Sequence, residues 1–120
     1  WISLRAFNYS KDPPFEQRDW GTFDVLLDVE GVKVKRLVIQ PGASLSLQLH
    51  RKRDEHWFVV SGSGVVLIGD TSVYLGSGDS VTIPRYAVHT VRSSSDEELV
   101  LIEIQTGECQ EGDIVRLEGK

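Results

Sequence analysis

From Trp20 onward the chain alternates short runs rich in β-branched and aromatic residues with clusters of turn-forming ones. The runs are TFDVLLD (22–28), VKVKRLVI (32–39), SLSLQLH (44–50), HWFVVSG (56–62), GVVLIG (64–69), SVYLG (72–76), SVTIP (80–84), AVHTVRS (87–93) and ELVLIEIQTG (98–107). No stretch carries a helical repeat of useful length. Short strands broken by frequent turn signals predict an all-β fold, an antiparallel sandwich or barrel. PGA (41–43), GD (69–70) and GSGD (76–79) supply tight turns, because glycine tolerates positive φ.

Upstream, YSKDPPFEQRD (9–19) is polar, and Pro13 and Pro14 lack amide donors and disfavour helix before them. Residues 1–17 are therefore expected to be an arm or linker, and 18–120 a single domain. Within that domain side-chain parity assigns faces. Along 43–50, Ala43, Leu45, Leu47 and Leu49 share one face, and Ser44, Ser46, Gln48 and His50 share the other. In the last long run, Leu99, Leu101, Glu103 and Gln105 fall on one face. A buried, unpartnered, ionised glutamate costs several kcal/mol, so Glu103 either faces solvent, pairs with a base such as Arg53 or Lys35, or is functional.

Composition narrows the partners. At 120 residues the chain suits one domain with a real core. Its net charge of -5 comes from interspersed acids and bases, so nothing marks a nucleic-acid or membrane surface and a small-molecule partner is expected. Cys109 is the only cysteine, which rules out an intrachain disulfide and fits a reduced cytoplasm. No apolar run approaches the roughly 20 residues that cross a bilayer, so a soluble protein is expected. The chain opens on Trp1 rather than Met, and is expected to be either a trimmed chain or a piece of a longer protein.

One spacing carries chemistry. Gly42, Gln48-x-His50, Glu55 and Gly62 resemble the first motif of the cupins, with Gln48 where a histidine is usual. Gly78, Pro84, Tyr86 and His89 resemble the second, with Tyr86 where a glycine is usual and Ser93 where an asparagine is usual. The resemblance implies a double-stranded β-helix, or jelly-roll barrel, in which Gln48, His50, Glu55 and His89 converge on one divalent metal. An amide oxygen, two imidazoles and a carboxylate suit Zn²⁺ most readily, and Co²⁺, Mn²⁺, Fe²⁺ or Ni²⁺ also fit such donors. His56 has the opposite parity to Glu55 and is expected to point away.

More of the chain narrows the family. RDWGTFDVL (18–26), VKVKRLVIQPGASLSLQLHRKRDEHWFVVSG (32–62), IPRYAVHTV (83–91), LVLIEIQTGE (99–108) and EGDIVRLE (111–118) resemble the C-terminal isomerase domain of bacterial type II phosphomannose isomerases. In that family the domain usually follows a nucleotidyltransferase that makes GDP-mannose. The chain has no glycine-rich nucleotide-binding signature, so on its own it is not expected to make GDP-mannose. The resemblance implies a mannose-6-phosphate isomerase working through a cis-enediol.

On that reading Glu103 and Arg53 are the catalytic candidates, as general base and as enediolate stabiliser or phosphate clamp. Lys35, Arg53, Tyr86 and Gln105 are candidates for substrate binding, with Arg36 and Arg85 as further cations. A homodimer is expected, with residues 1–17 packing on the neighbour. Two other readings compete: a non-catalytic metal-binding cupin that binds a phosphosugar or regulates an associated guanylyltransferase, and an Fe-dependent dioxygenase. Gln48 argues against the dioxygenase, since oxygen-activating sites of this fold typically keep a histidine there.

Overall fold

A computed structural model describes residues 15–117. Eleven strands build it: β1 (Phe15–Arg18), β2 (Gly21–Val29), β3 (Val32–Ile39), β4 (Gln48–Leu49), β5 (Arg53–Ser61), β6 (Gly64–Ile68), β7 (Thr71–Leu75), β8 (Ser80–Ile83), β9 (His89–Ser93), β10 (Leu99–Gly107) and β11 (Val115–Arg116). They form a six-stranded sheet, β1-β2-β3-β10-β5-β8, and a five-stranded sheet, β11-β4-β9-β6-β7. Every strand pairing is antiparallel. The all-β expectation holds. Among the described residues no helix is long and apolar enough to cross a membrane. The boundary expected between residues 17 and 18 falls inside β1, which pairs with β2. The part of the arm before residue 15 lies outside the described residues.

The inner face of the larger sheet explains where a site forms. Side chains alternate across a strand, and the registers of β3, β10 and β5 stack the inward residues into rows. Leu37, Leu101 and Val59 make an apolar row; Lys35, Glu103 and Trp57 make the next; Lys33, Gln105 and Glu55 follow. The sheet therefore turns from hydrocarbon to charge along its own length. At the apolar end Ile39, Leu37, Leu99, Leu101 and Val59 meet Val66, Val91 and Leu75 of the smaller sheet in one buried cluster.

One sequence expectation changes here. The run 44–50 does not form a strand: only Gln48–Leu49 is one, preceded by a single bridge from Ser44 to Arg92. Leu45 and His50 are both buried although their parity differs, so the chain shifts phase between them and the leucine face is not continuous. In VKVKRLVI the lysines, not the first two valines, point inward, because Lys33 and Lys35 share parity with Leu37 and Ile39.

Glycine geometry accounts for part of the motif. Gly42, Gly62 and Gly78 all have positive φ, at 77°, 80° and 89°. At Gly62 a Cβ would also meet the Glu98 carbonyl oxygen at 2.3 Å. Tyr86, in a position where a glycine is usual, is held at φ 71°, in the left-handed region that costs an L-residue energy.

Candidate metal centre

His50, Glu55 and His89 place one ligand atom each within 4.8 Å of one another. All three side chains are buried. Glu55 takes its direction from the inward parity of β5, and His89 opens β9. His50 follows β4, where its carbonyl accepts the Tyr86 amide at 2.6 Å.

Backbone carbonyls set the imidazoles. Nδ1 of His50 lies 2.6 Å from the Asp113 carbonyl, and Nδ1 of His89 lies 2.9 Å from the Ala87 carbonyl. A carbonyl only accepts, so each Nδ1 carries the proton and donates it. That leaves each Nε2 as the acceptor nitrogen, 3.3 Å from Glu55 Oε2 for His50 and 3.4 Å from Glu55 Oε1 for His89. Among the described residues, Glu55 Oε1 and His89 Nε2 are buried and have no hydrogen-bond partner. Two facing lone pairs repel unless a cation lies between them. The donor set therefore fits a metal ion: two neutral imidazoles, oriented through their outer nitrogens, and one carboxylate.

Charge around the cluster keeps it ready. Burial alone pushes the Glu55 carboxyl up, but a hydrogen bond from a protonated His89 and the charges of Arg53 and of protonated His50 outweigh it and hold it at about 2 while no metal is bound. Burial lowers His50, against the pull of Glu55 and with the help of Arg53. Both shifts favour the deprotonated, ligating forms. Gln48 is the cross-strand partner of His89, and its amide nitrogen donates to the Ser46 carbonyl at 3.1 Å and the Ser46 hydroxyl at 2.9 Å. That anchoring leaves the amide oxygen as its acceptor end.

A cavity of about 370 Å³ opens beside the cluster, lined among others by Gln48, Arg53, Glu55, Glu103, Gln105 and Lys35. Glu103 accepts from Trp57 Nε1 at 2.8 Å and from Gln105 Nε2 at 3.0 Å. Burial and the neighbouring Glu55 charge push its carboxyl up to about 7, against Lys35, Trp57 and Arg53. It is buried and lines the cavity, not solvent-facing.

Arg53 is in the site but not free. Its Nε donates to Glu55 Oε2 at 2.9 Å, one terminal nitrogen donates to the Gln110 carbonyl at 2.9 Å, and the other lies 3.2 Å from His50 Nε2. Lys35 is buried, with Nζ 2.6 Å from Glu111 Oε2 and 4.4 Å from the centre of the Phe23 ring. Tyr86, expected to touch substrate, is exposed and is not among the residues that line the cavity.

Other placements are plainer. His56 points away from the cluster and pairs with Thr82. Arg85 pairs with Asp54 at the surface and Arg36 with Asp24. Trp57 belongs to the buried core, and Trp20 packs against it while lining the cavity. Cys109 is a free, half-buried thiol.

Sequence reasoning missed Lys33, Gln110, Glu111 and Asp113. The parity of Lys33 with Leu37 and Ile39 was a usable signal. The three residues between β10 and β11 had none, since they act from an irregular turn.

Comparison with solved structures supports the fold. The capsular polysaccharide assembling protein CapF of Staphylococcus aureus superposes with a TM-score of 0.78 at 22% identity, covering 87% of this chain and 34% of that one. The Cnp3 cupin domain of Schizosaccharomyces pombe superposes with a TM-score of 0.70 at 14% identity, over 72% of this chain and 64% of that one. The fold is that of a cupin.

Among curated proteins, the mannose-1-phosphate guanylyltransferase of Salmonella muenchen is 40% identical over 102 residues, covering 84% of this chain and 22% of the relative. The xanthan biosynthesis protein XanB of Xanthomonas campestris is 42% identical over 102 residues, with the same coverage of 84% and 22%. The chain thus spans about a fifth of the length of these relatives. The first is named for guanylyl transfer, a different reaction from aldose-ketose isomerisation. That name corrects the expectation that this chain is a mannose-6-phosphate isomerase. Residues 14–119 match the family model described as mannose-6-phosphate isomerase C-terminal, and the chain belongs to that family.

Proposed function

We propose that this chain is a metal-holding, phosphosugar-binding accessory domain of a longer mannose-1-phosphate guanylyltransferase, a binding and regulatory domain with no turnover of its own. The observation that carries the reading is the orphaned pair Glu55 Oε1 and His89 Nε2, buried 3.4 Å apart at the edge of a polar cavity. The match of this domain to about a fifth of relatives named for that activity supplies the context.

His50, Glu55 and His89 would hold the ion, with the Gln48 amide oxygen as a fourth donor, and Zn²⁺ is the ion this borderline set suits best. When bound, it supplies positive charge for sugar hydroxyl or phosphate oxygens. The chain's own residues do the rest. Gln105 donates to both Glu103 and Glu55, at 3.0 and 3.3 Å, and so fixes the polar floor of the cavity. Glu103, its carboxyl pushed up to about 7, is protonated in part of the molecules at neutral pH and then offers a hydroxyl donor, and Trp57 walls the inner side. A cavity of about 370 Å³ lies within the range of roughly 300–1,000 Å³ that small-ligand sites occupy.

The test is metal analysis of the purified chain, then calorimetric titration of the loaded and chelated forms with mannose 1-phosphate and GDP-mannose. Stoichiometric metal and sugar binding that disappears in His50→Ala or on chelation is the expected result. Metal-independent binding, or none at all with metal in place, would sink the reading.

A further inference from the structure

We propose that Lys33 and Lys35 form a phosphate-monoester subsite, held in this structure by the Glu111 carboxylate as a tethered counter-ion that an incoming phosphate displaces. The inference deepens the phosphosugar-binding reading and rests on it.

Both ammonium groups converge on a single oxygen. Lys33 Nζ lies 2.8 Å and Lys35 Nζ 2.6 Å from Glu111 Oε2. Lys33 is 1% exposed and Lys35 5%, whereas the Glu111 side chain is 43% exposed. Lys33 also lies 3.9 Å from Asp28. Buried lysines keep their charge only beside an anion, and one anionic oxygen between two ammonium groups is how lysines hold a phosphate oxygen. The exposed partner is the exchangeable one.

The turn that carries Glu111 is fixed without it. The Gln110 carbonyl accepts from Arg53, and the Asp113 carbonyl accepts from His50. The Asp113 carboxylate accepts the amides of Arg51 at 3.0 Å and Lys52 at 2.9 Å. Glu111 can therefore swing toward solvent while the turn stays attached.

Sheet register gives the ligand its length. Gln105 is the cross-strand partner of Lys33 on one side and of Glu55 on the other. Two strand spacings, about 10 Å, separate the lysine strand from the strand of the metal cluster. A hexose phosphate with its phosphate on the lysines reaches toward Gln105 and Glu55 with its hydroxyls. Lys35, Glu111 and Glu55 line the same cavity.

The experiment is calorimetric titration of the metal-loaded chain and its Glu111→Gln variant with inorganic phosphate, mannose 1-phosphate and free mannose. Removing the internal competitor should tighten phosphate and mannose 1-phosphate by about tenfold, since apparent affinity scales with the fraction of open sites. Free mannose should be unaffected, and Lys35→Met added to Glu111→Gln should abolish the gain. A thermal scan checks folding: Glu111→Gln should unfold earlier than wild type in plain buffer and recover more of its midpoint in phosphate. Unchanged or weaker phosphate binding in Glu111→Gln, or a gain that survives Lys35→Met, overturns the subsite. If mannose 1-phosphate still binds better than mannose in that case, only the placement of the phosphate has failed. Equal binding of the two sugars would instead defeat the underlying phosphosugar reading.

Discussion

Glu55 Oε1 and His89 Nε2 face each other at 3.4 Å, both buried and, among the described residues, both without a hydrogen-bond partner. Either a proton or a metal ion must separate them, and His89 already spends its Nδ1 proton on Ala87. A metal that binds only the folded chain stabilises it by about 3 kcal/mol when free ion exceeds its Kd roughly a hundredfold. Chelation should therefore lower the thermal midpoint of the wild type and leave that of His89→Ala unmoved. An identical response to chelator in both proteins would remove the metal from this site.

Arg53 and a metal compete for one atom. His50 Nε2 has a single lone pair and lies 3.2 Å from an Arg53 nitrogen, so a ligated His50 cannot keep that hydrogen bond. The guanidinium charge also opposes a second cation beside Glu55. Arg53→Met should bind Zn²⁺ about tenfold more tightly in a chromogenic chelator competition, each factor of ten being worth about 1.4 kcal/mol. Its metal-free form should unfold at a lower temperature, because Glu55 loses its neutralising partner. Weaker metal binding by Arg53→Met would mean that Arg53 organises the ligands.

The parts of the site visible in the sequence were those set by strand parity. Glu55 and Arg53 alternate inward on a regular strand, as do Glu103 and Gln105, and their burial follows from two-residue periodicity. The ligand spacing resembled a known motif, so His50 and His89 could be named without geometry. Parity failed where the backbone leaves the sheet: the phase shift between Leu45 and His50 and the turn that brings Gln110, Glu111 and Asp113 over the site are tertiary events. The inward lysines were readable in principle. Leu37 and Ile39 fix the phase of the strand, and shared parity turns both lysines inward.

Backbone conformation separates two turn positions. Gly62, at φ 80° with the Glu98 carbonyl oxygen 2.3 Å from any added Cβ, should not accept alanine. Gly62→Ala is expected to cost about 3 kcal/mol or more in urea unfolding, combining left-handed strain with a clash against backbone. Tyr86 is in the opposite situation, at φ 71° with an exposed side chain. Tyr86→Gly should be neutral or stabilising by up to about 1 kcal/mol, as relief of strain offsets the greater freedom of an unfolded glycine. A large loss in Tyr86→Gly would give the ring a role its exposure does not suggest.

Glu103 makes the metal-free chain sensitive to pH in an unusual direction. Burial and the nearby Glu55 charge push its carboxyl up to about 7 in the folded chain, from the ordinary 4.5. The native state therefore binds more protons than the unfolded one between those values, and this group's stabilisation, complete below the lower value, is lost as pH rises through the higher. Glu55 and Glu111, both held at about 2, act oppositely: their stabilisation is present above about 4.5 and is lost as pH falls toward 2. Urea unfolding of chelated protein at pH 5 and pH 8 should show wild type losing on the order of 1–3 kcal/mol relative to Glu103→Gln on going to the higher value. The variant keeps an uncharged hydrogen-bonding group beside Trp57 and Gln105, so its packing is a fair reference. A parallel pH dependence in the two proteins would show that Glu103 is already ionised in the folded state.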